Sequence, residues 1–211
     1  MKRRPRRALL ALVVAGLLTA GCAGDGGGTE TGGAGSTVTG IERDPAPDVS
    51  TVALPDAAAA GRPFRTVAGD GSLLLVYFGY TSCPDVCPTT LTDLRTARRR
   101  LGDAAGRVDL AMVTIDPARD TGEVLTRYVR SFVPGAHALR SDDPAALRAA
   151  ADAFGADYSV SPGPSGRPEV VHTGNLYVVD DTGHLVLQWP FGTAAGDMAA
   201  DLALLLGRTG S

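Results

Sequence analysis

The chain has 211 residues, of which 44% are hydrophobic and 20% are charged, a balance that fits one globular domain plus additional sequence. Its formal net charge is −3, but residues 1–21 hold five basic and no acidic residues, so the remainder carries 15 basic against 23 acidic residues, a net charge of −8. An acidic chain of this kind argues against nucleic acid as a partner.

Residues 1–21 are predicted to be a secretory signal peptide, because five basic residues precede an apolar run over residues 8–18 and small residues follow. The run is shorter than the ~20 residues that a bilayer-spanning helix needs. The sequence LTAGC at residues 18–22 resembles the end of a bacterial lipoprotein signal, with Cys22 as the lipidated residue. An ordinary secreted protein is the alternative. We expect a lipid on Cys22 to hold the protein at the extracytoplasmic face of the cell membrane.

Residues 22–40 are predicted to comprise the lipidated cysteine and a flexible tether. Eight glycines occur in the eighteen residues 23–40, and such a glycine-rich coil has a root-mean-square span on the order of 20 to 25 Å. A tether of that length lets a domain reorient above the membrane. Residues 41–211 are expected to form that single domain.

Strand and helix signals alternate within the domain. The apolar run over residues 73–80 predicts a strand buried on both faces, and Pro88 favours the start of a helix over residues 88–101. A strand over 108–116, helices over 123–132 and 144–154, a hairpin over 175–189 that turns at 181–183, and a helix over 197–206 complete the predicted elements. This order predicts an α/β fold, a thioredoxin-like sandwich with a central mixed β-sheet flanked by helices.

Cys83 and Cys87 lie between the first predicted central strand and the helix that follows it. With Cys22 assigned to the anchor, they are the remaining thiols of the domain. The N-terminal end of a helix favours negative charge, so a cysteine there is expected to lose its proton more readily, and the thiolate is both a nucleophile and a metal ligand. Three interpretations stay open: a structural disulfide, which is the usual fate of thiols outside the cytoplasm, a redox couple, or two ligands of a metal.

Three residues separate the two cysteines, one more than in thioredoxin-like reductases. Four helical residues rise by about 6 Å, which still allows a disulfide, but the wider loop also leaves room for an ion. A third ligand would be needed, and His172 is expected to lie in a loop that approaches the cysteines, just before a predicted strand. His137 and His184 are interpreted as solvated residues of a loop and a turn, and the basic run at residues 98–100 as a solvated helix face.

Three segments in order carry a family resemblance: YFGYTSCPDVCPTTL (77–91), VTIDPARDT (113–121) and VVHTGNLYVVDDTG (170–183). They resemble the Sco/SenC family of copper chaperones, over about residues 52–206. The resemblance implies copper ligands Cys83, Cys87 and His172, a thioredoxin-like domain outside the cytoplasmic membrane, and a role in assembling the copper A centre of cytochrome c oxidase. It shows departures at residues 162–168, where a variable loop is expected, and ahead of the first central strand, where a common Gly-Lys is missing.

The implied ligand set suits copper. Cu(I) is soft, prefers thiolate sulfur and accepts imidazole, whereas structural zinc usually takes four closed ligands. Cu(II) is also expected to bind, with an added water or carboxylate. An open three-coordinate site fits a protein that gives its metal away, and the expected recipient is the copper A subunit of cytochrome c oxidase.

Asp116 ends the segment TID and has two interpretations. It is either a carboxylate that caps the following turn or an outer residue that supports a copper ligand. Trp189, Pro190 and Phe191 are interpreted as core residues, with a partner-facing surface as the alternative.

The alternative function is an extracytoplasmic thiol–disulfide oxidoreductase that keeps the copper-site cysteines of the oxidase reduced, which is the only enzymatic activity expected. Copper binds only to reduced Cys83 and Cys87, so either role implies an external thiol reductant as a partner. A thiol peroxidase is disfavoured because no arginine stands in the cysteine loop. A structural disulfide in a binding module is the remaining alternative.

Overall fold

The computed structural model describes residues 37–163 and 168–209, and a mixed sheet of eight strands forms their centre. The described residues form ten strands, eight in this sheet and two in a separate ribbon: β1 (Ile41–Glu42), β2 (Ala53–Asp56), β3 (Arg62–Arg65), β4 (Leu73–Gly79), β5 (Val108–Thr114), β6 (His137–Leu139), β7 (Tyr158–Pro162), β8 (Pro168–His172), β9 (Leu176–Val179) and β10 (Leu185–Trp189). The helices are α1 (Val86–Arg100), α2 (Gly122–Phe132), α3 (Pro144–Phe154) and α4 (Ala195–Arg208), with short 3-10 helices at Ala57–Ala59 and Gly102–Arg107. The sheet order is β1-β10-β9-β4-β5-β6-β2-β3, and β7 and β8 form a separate ribbon.

Strand β4 lies in the middle of the sheet, parallel to β5 and antiparallel to β9, and all of its residues are buried. A continuous apolar run is what a strand covered on both faces requires. Because successive side chains point to opposite faces, Phe78 packs against Phe154 of α3 while Gly79 lies against Cys87 of α1. The two helices therefore cover opposite faces, which confirms the predicted central mixed sheet flanked by helices.

The three parallel strands β4, β5 and β6 end at the same edge of the sheet. The loop after β4 carries the cysteines, and the loop after β5 carries Asp116, Arg119 and Asp120. Side chains that are far apart in sequence are thus brought to one edge, the usual place for ligand sites in open α/β sheets.

Helix boundaries follow local capping signals. Helix α3 has the predicted bounds because Asp143 accepts a hydrogen bond from the Ala145 amide, Pro144 occupies the first turn, and Gly155 adopts a left-handed conformation after the last one. Helix α1 begins at Val86, two residues before the predicted start, so Cys87 lies in its first turn.

Several short elements were not predicted: β1, β2, β3, β6 and the β7–β8 ribbon. The two strands of this ribbon are paired up to Pro162 and Pro168, the ends of the expected variable loop, and residues 164–167 lie outside the described part of the chain. His137 is not a solvated loop residue: it begins β6, and its Nδ1 lies 2.8 Å from Oδ2 of buried Asp56. His184 does lie in the turn between β9 and β10 and is partly exposed.

The end of the predicted tether belongs to the folded domain. The amides of Thr39 and Gly40 donate to the carboxylate of Asp201 on α4, at 2.7 and 2.8 Å. Gly40 packs so closely that a Cβ there would lie 2.8 Å from the ring of Trp189. The predicted signal peptide and Cys22 lie outside the described residues, and none of the described helices combines the length and apolarity needed to cross a bilayer.

Candidate metal centre

Cys83, Cys87 and His172 lie together at the edge where the parallel strands end. Each offers one ligand atom, and these atoms all lie within 4.8 Å of one another. Nε2 of His172 is 3.7 Å from Sγ of Cys87, and both cysteines are free thiols. The fold therefore brings together the three side chains that the sequence singled out.

The two cysteines occupy different positions at the start of α1. Cys83 lies in the preceding loop, where its amide donates to the carbonyl of Tyr80 at 3.3 Å. Its Sγ accepts the amide N–H of Cys87 at 3.3 Å, and Asp85 makes no side-chain cap, so the Cys83 sulfur satisfies a backbone donor of the first helical turn. Cys83 is 9% exposed, whereas Cys87 is fully buried.

Burial determines the protonation of Cys87. It raises the pKa of this thiol from 9.0 to about 12, because the thiolate is costly to remove from water. The expectation that the helix N-terminus makes such a cysteine lose its proton readily is therefore wrong for Cys87, where desolvation outweighs the helix end. A metal that binds this sulfur must displace its proton.

His172 presents an unprotonated nitrogen to the cysteines. Its Nδ1 lies 3.0 Å from the carbonyl oxygen of Thr173, which can only accept a hydrogen bond, so Nδ1 carries the proton and Nε2 keeps its lone pair. Burial lowers the pKa of the imidazole, which keeps it neutral. The rings of Tyr77 and Tyr80 meet it edge-on, with centroid distances of 6.3 and 5.9 Å.

His172 was predicted to lie in a loop. It is instead the last residue of strand β8. It pairs with Tyr158 of β7. Arg148 of α3 donates to the carbonyl of Tyr158 at 2.6 Å, lies over the Tyr158 ring at 4.2 Å and forms an ion pair with Asp157 at 3.1 Å. His172 therefore lies on a ribbon that Arg148 connects to α3.

Cys83 and His172 border an open cleft of about 330 Å³, whereas the fully buried Cys87 lies behind them. Two exposed apolar side chains occur in this region: Val171, on β8 beside His172, is 61% exposed, and Phe191, which packs against Gly174 after the ribbon, is 47% exposed. The interpretation as core is confirmed for the fully buried Trp189 but is wrong for Pro190 and Phe191, which are exposed. The residues lining the cleft are Tyr80, Cys83, Pro84, Asp85, Val86, Val170, Val171 and His172.

Asp116 is linked to this site through other residues. Its buried carboxylate forms an ion pair with Arg119, and the guanidinium of Arg119 lies 5.7 Å from the centroid of Tyr80, the ring that flanks His172. The following turn is closed by the main-chain carbonyl of Asp116, which accepts the amides of Arg119 and Asp120, and not by the carboxylate.

Arg119 also changes one argument made from the sequence. The thiol peroxidase was disfavoured because the cysteine loop has no arginine, yet the fold supplies one from the loop after β5. An arginine therefore lies against Tyr80 although the cysteine loop itself contains none. The guanidinium is, however, paired with Asp116 and lies against Tyr80.

Gly79 is a site residue that sequence reasoning missed. A Cβ at this position would lie 2.8 Å from Cε1 of Tyr77 and 3.0 Å from Sγ of Cys87. The Cys87 sulfur therefore rests on bare backbone. A glycine inside a buried strand often marks such a close approach, and this was the available signal.

Fold and site together define a thioredoxin-like domain with a Cys-Cys-His ligand set. The profile of the SCO1/SenC family matches residues 57–207, and the chain belongs to this family. The resemblance inferred from the three sequence segments is thereby confirmed.

Two solved structures illustrate the similarity. Apo Sco1 from Thermus thermophilus is 36% identical, with a TM-score of 0.66 over 80% of this chain and 96% of that chain. Bradyrhizobium japonicum ScoI with copper bound is 30% identical, with a TM-score of 0.62 over 72% and 95% of the two chains. The human mitochondrial SCO1 homolog is 33% identical over 140 residues, 63% of this chain and 45% of the human protein. The chain thus spans less than half of that curated relative, and 61% of a relative from Stutzerimonas stutzeri.

Proposed function

We propose that this chain binds copper through Cys83, Cys87 and His172 and delivers it to the copper A subunit of cytochrome c oxidase during assembly. The observation that carries the proposal is the convergence of two sulfurs and one imidazole nitrogen within 4.8 Å beside an open cleft. The copper-bound relative, 30% identical, supports copper as the metal. Membership of the family supports the role in oxidase assembly.

Copper is the cargo of this site, and the ligand chemistry suits its reduced form. Two thiolates and a neutral imidazole provide soft and borderline donors at the low coordination number that Cu(I) accepts. The proton of Cys87 leaves as the metal arrives, while His172 has no proton to lose at Nε2. The open side of the site lets a ligand of the recipient attach before Cys83, Cys87 and His172 are released, and an added water or carboxylate there completes a Cu(II) site.

The test is copper affinity of the reduced chain carrying Cys22→Ser, in which Cys83 and Cys87 are the only thiols. His172→Ala is expected to weaken copper binding by at least about tenfold and to shift the reduction potential of the cysteine pair by less than about 30 mV. His184→Ala, a partly exposed histidine of the β9–β10 turn, is the matched control and is expected to bind as the parent does. Unchanged affinity in His172→Ala would refute the three-ligand site.

Membrane anchoring through Cys22 is part of the same proposal. It is supported by the basic and apolar leader and by the glycine-rich segment that follows. Cys22→Ala is expected to move the protein from the membrane fraction to the soluble extracytoplasmic fraction, and mass spectrometry of the parent is expected to find lipid on Cys22. An unlipidated Cys22 in the mature parent would contradict the anchor.

Thiol–disulfide reduction is the second candidate, favoured by two free thiols within 4.8 Å of which one borders the cleft. The thiolate of Cys83 would attack the oxidised copper-site disulfide to form a mixed disulfide and release one thiolate. Cys87 would then attack Cys83, release the second thiolate and leave a Cys83–Cys87 disulfide for an external thiol reductant. Rapid turnover of an oxidised copper A domain with copper excluded would make metal delivery secondary.

A further inference from the structure

Asp120 joins the cysteine loop to the end of β5. Its carboxylate accepts the Thr81 amide at 3.0 Å and the Thr81 hydroxyl at 2.6 Å, so it holds both donors of the residue that opens the cysteine loop. The hydroxyl of Thr114, the last residue of β5, donates to the same carboxylate at 2.6 Å. The loop that presents Cys83 is therefore tied to the neighbouring strand through one side chain.

These hydrogen bonds require the carboxylate of Asp120 to be buried, and removing an ionised carboxylate from water costs free energy. Asp120 has no exposed surface, and among residues 37–163 and 168–209 no cationic side chain forms an ion pair with its carboxylate. Such a buried carboxylate is tolerated because three hydrogen-bond donors replace its water. Its own segment is fixed as well, since the Asp120 amide donates to the carbonyl of Asp116 and the Asp120 carbonyl accepts from Arg140.

We propose that Asp120 is a positioning residue for the metal centre: by holding Thr81 it fixes the loop that sets Cys83 opposite Cys87 and His172. The inference rests on the proposed function, because it concerns the same ligands. Asp120 positions Thr81 through the geometry of its hydrogen bonds, and the negative charge of its carboxylate is not required. An asparagine can keep all three bonds, with its oxygen accepting from the Thr81 amide and the Thr114 hydroxyl and its amide donating to the Thr81 hydroxyl oxygen.

The experiment compares copper affinity of the reduced full chain carrying Cys22→Ser with that of Asp120→Ala and Asp120→Asn. Asp120→Ala is expected to bind copper about 10- to 100-fold more weakly, the usual effect of removing an outer-shell partner, whereas Asp120→Asn stays within about threefold of the parent. A metal-free readout accompanies it: Cys83 of Asp120→Ala is expected to react faster with a neutral alkylating reagent.

Asp201→Ala is the matched control, because Asp201 is equally buried and also accepts three hydrogen bonds, from Thr39, Gly40 and Trp189. It is expected to lower the melting temperature without changing copper affinity. The proposal is overturned if Asp120→Ala binds as the parent does, if Asp120→Asn is as weak as Asp120→Ala, or if Asp201→Ala loses as much affinity as Asp120→Ala.

Two further outcomes are decisive. If Asp120→Ala does not fold, Thr81→Val replaces it, since this variant loses only the 2.6 Å hydroxyl bond; an affinity at least threefold weaker is expected, and an unchanged one overturns the proposal. A parent chain that fails to bind copper refutes the proposed function. In that case the alkylation rate of Cys83 still tests the positioning role, and an unchanged rate in the variant overturns it.

Discussion

Cys87 shows how one residue couples burial to metal binding. Its sulfur is fully buried on the backbone of Gly79, and burial raises the pKa of the thiol to about 12. At neutral pH the metal-free thiol is therefore protonated and uncharged. Copper supplies the positive charge that makes the buried thiolate tolerable, so the metal takes the place of the proton.

Copper affinity is expected to rise with pH for this reason. Between pH 6 and 8 the Cys87 thiol lies below its pKa, so each unit of pH raises the thiolate fraction, and with it the apparent affinity, by about tenfold from this residue alone. Burial lowers the pKa of His172, and any protonation of its ring would also weaken binding at lower pH, so it acts in the same direction as Cys87. Competition with a chelator of known proton affinity measures the slope, and a pH-independent affinity for Cu(I) would contradict this account.

Gly79→Ala is expected to disturb the site through overpacking. The new methyl group would lie 3.0 Å from Sγ of Cys87 and 2.8 Å from the ring of Tyr77, which predicts a loss of about 1 to 3 kcal/mol in the free energy of unfolding and weaker copper binding. Gly106→Ala is the control, because no atom lies within 4 Å of a Cβ there. Chemical denaturation and copper titration measure both effects; equal behaviour of the two variants would show that the contact is unimportant.

At this scale the sequence identified the three side chains that converge but not their surroundings. Cys83 and Cys87 were found from their spacing and His172 from its place before a strand. Arg119 and Asp120 make contacts between loops that only the folded chain brings together, whereas a glycine inside a buried strand was an available signal for Gly79. The protonation of Cys87 was mispredicted because the extent of burial cannot be read from its position at a helix end.

At the scale of elements, the β7–β8 ribbon is the part that carries the third ligand atom. It lies outside the eight-stranded sheet, and most of its residues are exposed. Arg148 links it to α3 through an ion pair with Asp157 and a hydrogen bond to Tyr158. The position of His172 therefore depends on the contacts that Arg148 makes with Asp157 and Tyr158, which do not involve the cysteines.

Arg148→Ala is expected to loosen the ribbon. The change removes the contacts with Asp157 and Tyr158, so amide hydrogen exchange should accelerate over Pro168–His172 and copper affinity should fall by about 3- to 10-fold. Arg127→Ala is the control, because among the residues that the structure describes Arg127 forms an ion pair only with exposed Glu123 on α2. Hydrogen exchange by mass spectrometry decides: unaltered protection of the ribbon in Arg148→Ala would show that α3 does not hold it.

The same ribbon marks the limit of element prediction. Strand β4 was recognised because both of its faces are buried, and α3 because Asp143, Pro144 and Gly155 delimit it. The segment that became β7, YSVSP, does alternate between apolar and polar residues, but over only five residues, and the segment that became β8, PEVVH, does not alternate; both bury little surface. Strands β1 and β6 are two and three residues long, too short for any period to be visible.

At the scale of the whole molecule, the topology explains why one edge of the sheet holds the site. Parallel β4 and β5 end side by side, so the cysteine loop and the Asp116–Asp120 turn meet there, and the ribbon before β9 brings His172 to the same place. The proposed anchor at Cys22 and the glycine-rich tether would let this edge face a membrane-bound recipient. The order of elements predicted this arrangement, because the connections of a thioredoxin-like sheet fix which loops become neighbours.

X-ray absorption spectroscopy of the reduced, Cu(I)-loaded chain carrying Cys22→Ser tests the central claim most directly. The account predicts one copper per chain with two sulfur ligands and one imidazole nitrogen, and loss of the nitrogen signal in His172→Ala. A parent spectrum with sulfur ligands alone, or one that His172→Ala leaves unchanged, would contradict the three-ligand centre.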